Sequence, residues 1–150
     1  VEGNAKEDGF LKNFITSKKF YENVSKKNPI SLQLFYENKG SVHLNPYGII
    51  EVKNLLGKKV GEIEVDPFFA MPDSLRKREV RLDKELLFGR YTALVSLNRG
   101  YNDIIDQKSL TFWVIPWKLI LIGLTILFFV LWFFKWALGH FEIKKKTDNN

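Results

Sequence analysis

The chain has 150 residues, 45% of them hydrophobic, and a formal net charge of +6. It contains no cysteine, which excludes disulfides, cysteine-ligated metals and thiol catalysis. Residues 1–114 carry 18 basic and 15 acidic side chains, a net of +3 with the signs interleaved. That is a solvated surface and not the footprint of a nucleic-acid partner.

Before residue 115 the hydrophobic pattern has period two, not 3.6. Residues 10–16 predict a first strand. Ile30, Leu32, Leu34 and Tyr36 alternate with Ser31, Gln33, Phe35 and Glu37, so one side of that strand faces a core. Asn38-Lys39-Gly40-Ser41 and Asn45-Pro46-Tyr47-Gly48 are turn signals. Strands follow over 49–53 and 59–65, the second broken by Asp66-Pro67. Another runs from Ser74 to Leu82, and its Leu75-Arg76-Lys77-Arg78-Glu79 is read as an exposed strand face in preference to a contact for phosphate or acidic glycan. Tyr91, Ala93, Val95 and Leu97 alternate along the next strand, and Leu110, Phe112 and Val114 along the last. Seven or eight short strands with regular turns and no soluble helix predict an all-β, antiparallel immunoglobulin-like or fibronectin-like β-sandwich over 1–114. Tyr91 follows a Gly turn at the start of the penultimate strand. This suits either a tyrosine corner or an ordinary buried aromatic.

Residues 119–134 then run without a charge, about 24 Å of helix. Counted from Trp117 to Leu138 the length is about 33 Å, enough to cross a hydrocarbon layer. Lys118 and Lys135 lie near its ends, where an ammonium reaches the headgroups. Trp113 and Trp117 stand at the entrance, and Trp132 and Trp136 at the exit, as in an interfacial aromatic belt. A buried helix of a soluble domain is seldom apolar all round with tryptophan at both ends. The division expected is therefore a sandwich over 1–114, a transmembrane helix over 115–138 and a short basic tail over 139–150. With Gly123 and Thr125 the only small residues before Ala137, no G-x-x-x-G pattern supports oligomerisation through the helix.

Orientation follows from the flanking cations. Lys135, Lys144, Lys145 and Lys146 follow the span, while Lys108 and Lys118 precede it. The bias predicts a cytoplasmic C-terminus and an external sandwich in the cell membrane. The competing arrangement is a tail-anchored protein with residues 1–114 in the cytosol. The opening Val1-Glu2-Gly3-Asn4 has neither Met nor an apolar leader, so the expectation is a processed chain or the C-terminal part of a longer protein. The span ties the chain to a lipid bilayer. Pro116 ends the last strand and suits a first helical turn, leaving almost no linker between the two.

Candidate chemistry is sparse. The two histidines, His43 and His140, fall on opposite sides of the span and are not expected to share a metal. No nucleophile elbow, P-loop or H-E-x-x-H is present. Glu62 and Glu64 share a strand face, an exposed polar pair and not an acid/base couple. No catalytic residue, cofactor or metal is expected. The stretch Pro67-Phe68-Phe69-Ala70-Met71-Pro72 has two readings. Phe68, Phe69 and Met71 anchor a partner, or they plug the open end of the sandwich. The plug is the preferred expectation, and on it Phe69→Ala lowers thermal stability.

Residues 35–52, with Asn38-Lys39-Gly40 and Pro46-Tyr47-Gly48, followed by Leu56-Gly57-Lys58-Lys59-Val60, resemble the Ig-like module of bacterial cell-surface proteins of the WxL-interacting type. The likeness extends through Pro72-Asp73-Ser74-Leu75-Arg76, Phe88-Gly89-Arg90-Tyr91 and 112–118, covering most of 10–135. The resemblance implies a non-catalytic ectodomain, anchored by a C-terminal helix with a basic tail, that contacts a protein or cell-wall glycan. It also implies another sandwich upstream. No binding residue is transferred from it. Two other functions remain open: a rigid membrane-proximal spacer for an upstream catalytic domain, and a cytosolic tail-anchored adaptor.

Overall fold

The computed structural model describes residues 4–86 and 88–140. Among these, the strands are β1 (Gly9–Thr16), β2 (Phe20–Tyr21), β3 (Ile30–Asn38), β4 (Tyr47–Asn54), β5 (Lys59–Val65), β6 (Ser74–Leu82), β7 (Gly89–Asn98) and β8 (Ile105–Val114). One helix follows, α1 (Trp117–His140). The chain divides into two compact units between Ile115 and Pro116.

The strands form a three-stranded sheet, β1-β3-β6, and a five-stranded sheet, β2-β8-β7-β4-β5. The central strands β3 and β7 carry the cleanest alternation, because each buries one face against the opposite sheet. Ile30, Leu32, Leu34 and Tyr36 from β3 meet Ile50, Val52, Ala93, Val95, Leu97 and Phe112 in one core. β6 is an outer strand of the smaller sheet. Its exposed Arg76, Lys77 and Arg81 place charge along an edge that would otherwise invite another strand.

Two details depart from the sequence reading. The pairing of β2 with β8 is parallel, Phe20 opposite Trp113 and Tyr21 opposite Val114, so the sheets are not antiparallel throughout. A two-residue strand carries no periodicity to detect. β8 also begins at Ile105, well before the expected start at Leu110. Its first half puts Asp106 and Lys108 on the side where Phe112 and Val114 face the core, so the apolar alternation vanishes there.

Asp106 has a structural use at that inward position. β1 is an outer strand of its sheet, and the N–H groups of Gly9 and Leu11 lie on its open edge, away from β3. The Leu11 N–H donates to Asp106 Oδ2 at 2.7 Å. Asp106 Oδ1 accepts from Arg99 Nε at 3.0 Å and Nη2 at 2.7 Å. The Tyr101 hydroxyl accepts from Gly9 N–H at 3.1 Å and donates to the Gly9 carbonyl at 3.0 Å. Tyr36, buried in the core, donates to the Arg99 carbonyl at 2.8 Å. The open side between β1 and the β7–β8 hairpin is thus closed by polar groups.

The pairings also sort the loops into two groups. Residues 39–46, 66–73 and 99–104 cluster at the end marked by Tyr47 opposite Asn98 and Gly9 opposite Asn38. Residues 17–29, 54–58 and 83–86, with Phe88, lie at the other end, where Gly89 faces Val114 and the chain leaves β8.

Candidate interaction loops and the apolar helix

The loop over 66–73 is held by its neighbours. Leu44 and Ala70 exchange backbone hydrogen bonds at 3.0 and 2.9 Å, and the Phe68 N–H reaches the Pro46 carbonyl at 3.2 Å. Asn38 is fully buried and supplies the remaining polar ties. Its Nδ2 donates to the carbonyls of Val42 at 2.8 Å and Ala70 at 2.9 Å, while its Oδ1 accepts from Gly40 N–H at 2.9 Å. A side chain at position 40 has no room, since a Cβ would stand 2.2 Å from the Lys6 carbonyl oxygen. The Asn-x-Gly motif is therefore a buried polar clamp between two loops.

This clamp splits the apolar stretch. Phe68 turns inward and meets Tyr36 edge-on, with ring centroids 6.1 Å apart. Phe69 and Met71 point outward and are 64% and 66% exposed. The expectation that all three plug the sandwich is corrected: Phe68 alone does so. Strand alternation explains this, because Ala70, locked to Leu44, shares the inward side with Phe68. Outside, the His43 ring lies 6.2 Å from that of Phe69. Tyr47, 45% exposed, sits on the outer face of β4 near the same end.

Of the strand-face carboxylates Glu62 and Glu64, Glu62 belongs to a surface ion-pair cluster with Lys59 and Glu51. Glu51 faces Glu62 across β4 and β5. Lys53 stands 3.2 Å and Lys59 3.5 Å from Glu51, and Lys59 also pairs with Glu62. The hydrogen bond from Lys53 holds the Glu51 carboxyl below the usual carboxylate range. Among the described residues no cluster of three or more His, Asp or Glu is disposed to hold a metal. Tyr91 is buried and stacked on Phe112 at 5.7 Å.

α1 has 24 residues and one 23-residue stretch, Trp117–Gly139, long and apolar enough to cross a membrane. Its apolar side chains are exposed all round. The one hydroxyl within it, Thr125, donates to the Leu121 carbonyl at 2.8 Å, which satisfies it without a partner helix. Lys118 Nζ lies 5.7 Å from the Trp117 ring centroid. Trp132, Lys135 and Trp136 lie in the C-terminal half of the helix. Trp113 does not belong to it, being the penultimate residue of β8 with its N–H bonded to the Lys19 carbonyl at 2.8 Å. Lys144, Lys145 and Lys146 lie outside the described residues.

No protein-family model and no curated protein matches the sequence. Solved structures similar to the chain include a β-glucuronidase from glycoside hydrolase family 2, with a TM-score of 0.48, 10% identity and 71% of this chain covered. A β-glucosidase from Listeria innocua, solved with glucose, matches 73% of the chain with a TM-score of 0.45 and 8% identity. A β-glucosidase from Kluyveromyces marxianus matches 75% with a TM-score of 0.34 and 13% identity. The chain covers 11%, 16% and 15% of these three enzymes' chains, respectively.

Proposed function

We propose that the chain is a membrane-anchored, non-catalytic cell-surface module that binds or presents a protein or cell-wall glycan through the loops at 39–46, 66–73 and 99–104. The observation that carries this reading is the rigid display of Phe69 and Met71 at the sandwich end opposite Val114. Solvated aromatic and methionine side chains on an ordered loop are the kind of group that anchors a partner. The strand order β1-β3-β6 against β2-β8-β7-β4-β5 supports an immunoglobulin-like topology, in line with the resemblance to the WxL-interacting type. The helix anchors the module, and the lysines after it favour a cytoplasmic C-terminus.

A second reading, a rigid spacer beneath an upstream domain, draws on the short link of Ile115 and Pro116 between β8 and α1. Two experiments separate the possibilities. In a chain without cysteine, Asn45→Cys and Lys146→Cys are labelled in intact cells with a membrane-impermeant maleimide. Labelling at 45 alone supports the external module, and labelling at 146 alone replaces it with the cytosolic tail-anchored adaptor. A photo-crosslinking residue at position 69 then yields a discrete adduct absent from a control at Ser109. No adduct at 69 favours the spacer.

A further inference from the structure

The end of the sandwich from which the chain leaves β8 carries its own apolar tip. In the β4–β5 turn, Leu55 and Leu56 are 72% and 89% exposed. Such turns are ordinarily polar. These leucines are held out by geometry. Asn54 Oδ1 accepts the N–H groups of both Leu56 and Lys58 at 3.0 Å, while the Asn54 N–H donates to the Lys58 carbonyl and the Asn54 carbonyl accepts the Gly57 N–H. Gly57 adopts φ +77° and completes the turn. Beside it, Phe88 is 63% exposed, and the two loops border one groove with Arg90 and Tyr91. Phe20, also 63% exposed, pairs with Trp113.

We infer that this tip is a second membrane contact, inserting Leu55, Leu56 and Phe88 into the headgroup and upper acyl region of the bilayer that α1 crosses. The inference rests on the reading of α1 as a span. Three observations select lipid over a protein partner. First, Ile115 N–H is tied to the Tyr21 carbonyl at 2.7 Å, so the sandwich's own bonding reaches within two residues of α1. Three chain steps from Val114 to Trp117 reach at most about 11 Å. Second, Asn54 pairs with Tyr91 and Tyr91 with Phe112, which puts the leucine turn two strand spacings, about 10 Å, from β8 at that level. Third, the loops of this end carry Lys18-Lys19, Lys26-Lys27, Lys58 and Lys84, against Glu22, Asp83 and Glu85. The opposite loops carry Asp66, Asp73 and Asp103 against Lys39 and Arg99. Cations around an apolar tip match an anionic bilayer surface.

The test uses the full chain in phosphatidylcholine vesicles with and without phosphatidylglycerol. Single cysteines at Leu56, Phe88, Met71 and Leu127 carry an environment-sensitive fluorophore, and some vesicles hold lipids with quencher-bearing acyl chains. Quenching at 56 and 88 is expected to be several-fold stronger than at 71, and to weaken without the anionic lipid. Leu56→Ser should reduce quenching of the label at 88. Quenching at 127 with none at 56 overturns the docking while the span stands. No quenching at 127 removes the span, and the docking with it. Blue-shifted emission at 56 without lipid quenching puts protein over the tip and overturns the inference.

Discussion

Asp106 accepts the backbone N–H of Leu11 at 2.7 Å, joining the last strand of one sheet to the first strand of the other. The same carboxylate neutralises Arg99, whose guanidinium it holds well above the usual arginine range. Asp106→Ala orphans an enclosed N–H and a half-buried cation together. We expect a loss of about 2–3 kcal/mol, read as a lower denaturation midpoint of the full chain in detergent. A loss below about 0.5 kcal/mol, the range of plain surface changes, would show that β1 is held by packing alone.

Tyr36 makes stability sensitive to alkali. Burial first, and then the neighbouring Tyr101, push its phenol above the ordinary value. The native state therefore holds this proton more tightly than the unfolded chain does. Its contribution is intact below about pH 10 and is lost as the pH rises beyond that, with a limiting slope of about 1.4 kcal/mol per pH unit. In Tyr36→Phe, unfolding measured from pH 9 to 11.5 should show a shallower decline. Equal slopes for the two proteins would refute the assignment.

Asn38→Ala should cost about 3 kcal/mol, because the carbonyls of Val42 and Ala70 and the N–H of Gly40 lose their partner together. The 66–73 loop should loosen as well. Amide exchange at Phe68 and Ala70 is the sharper readout, since their N–H groups bond to the Pro46 and Leu44 carbonyls of the other loop that Asn38 ties in place. Unchanged protection at those two amides would mean that the loop holds itself.

Phe68→Ala and Phe69→Ala form a matched pair on adjacent residues. The first empties a position packed on Tyr36 and should cost about 3–4 kcal/mol. The second removes a solvated ring and should stay within about 0.5 kcal/mol of the parent. A comparable drop in melting temperature for both would restore Phe69 to the plug.

The sandwich was legible because β3, β4 and β7 bury one face and leave the other wet, and Ile30 through Tyr36 announce it residue by residue. What escaped was written in polar chemistry. The first half of β8 hides because Asp106 occupies an inward position for its hydrogen bonds and not for its hydrophobicity. The split of Phe68 from Phe69 depends on the lock between Leu44 and Ala70, a contact across 26 residues that local pattern does not carry. Asn38-Lys39-Gly40 was visible as a turn. That its asparagine is fully enclosed and clamps a second loop was not, since Asn at a surface turn reads identically. The exposure of Leu55 and Leu56 also follows from Asn54 and Gly57, whose roles appear only once the turn is closed.

The place of β8 in its sheet constrains how the protein is made. It lies inside that sheet, between β2 and β7, and Asp106 lies on it. A nascent chain that has reached only Asn98 has β7 with one flank bare and β2 with nothing to pair against. Closure must await nearly the whole sandwich, and Trp117 begins the apolar helix three residues after the last paired one. Strand assembly and emergence of the apolar helix thus fall in the same interval of synthesis. Until then a long unpaired β7 edge stays exposed, and truncation before Ile105 would leave it permanently adhesive.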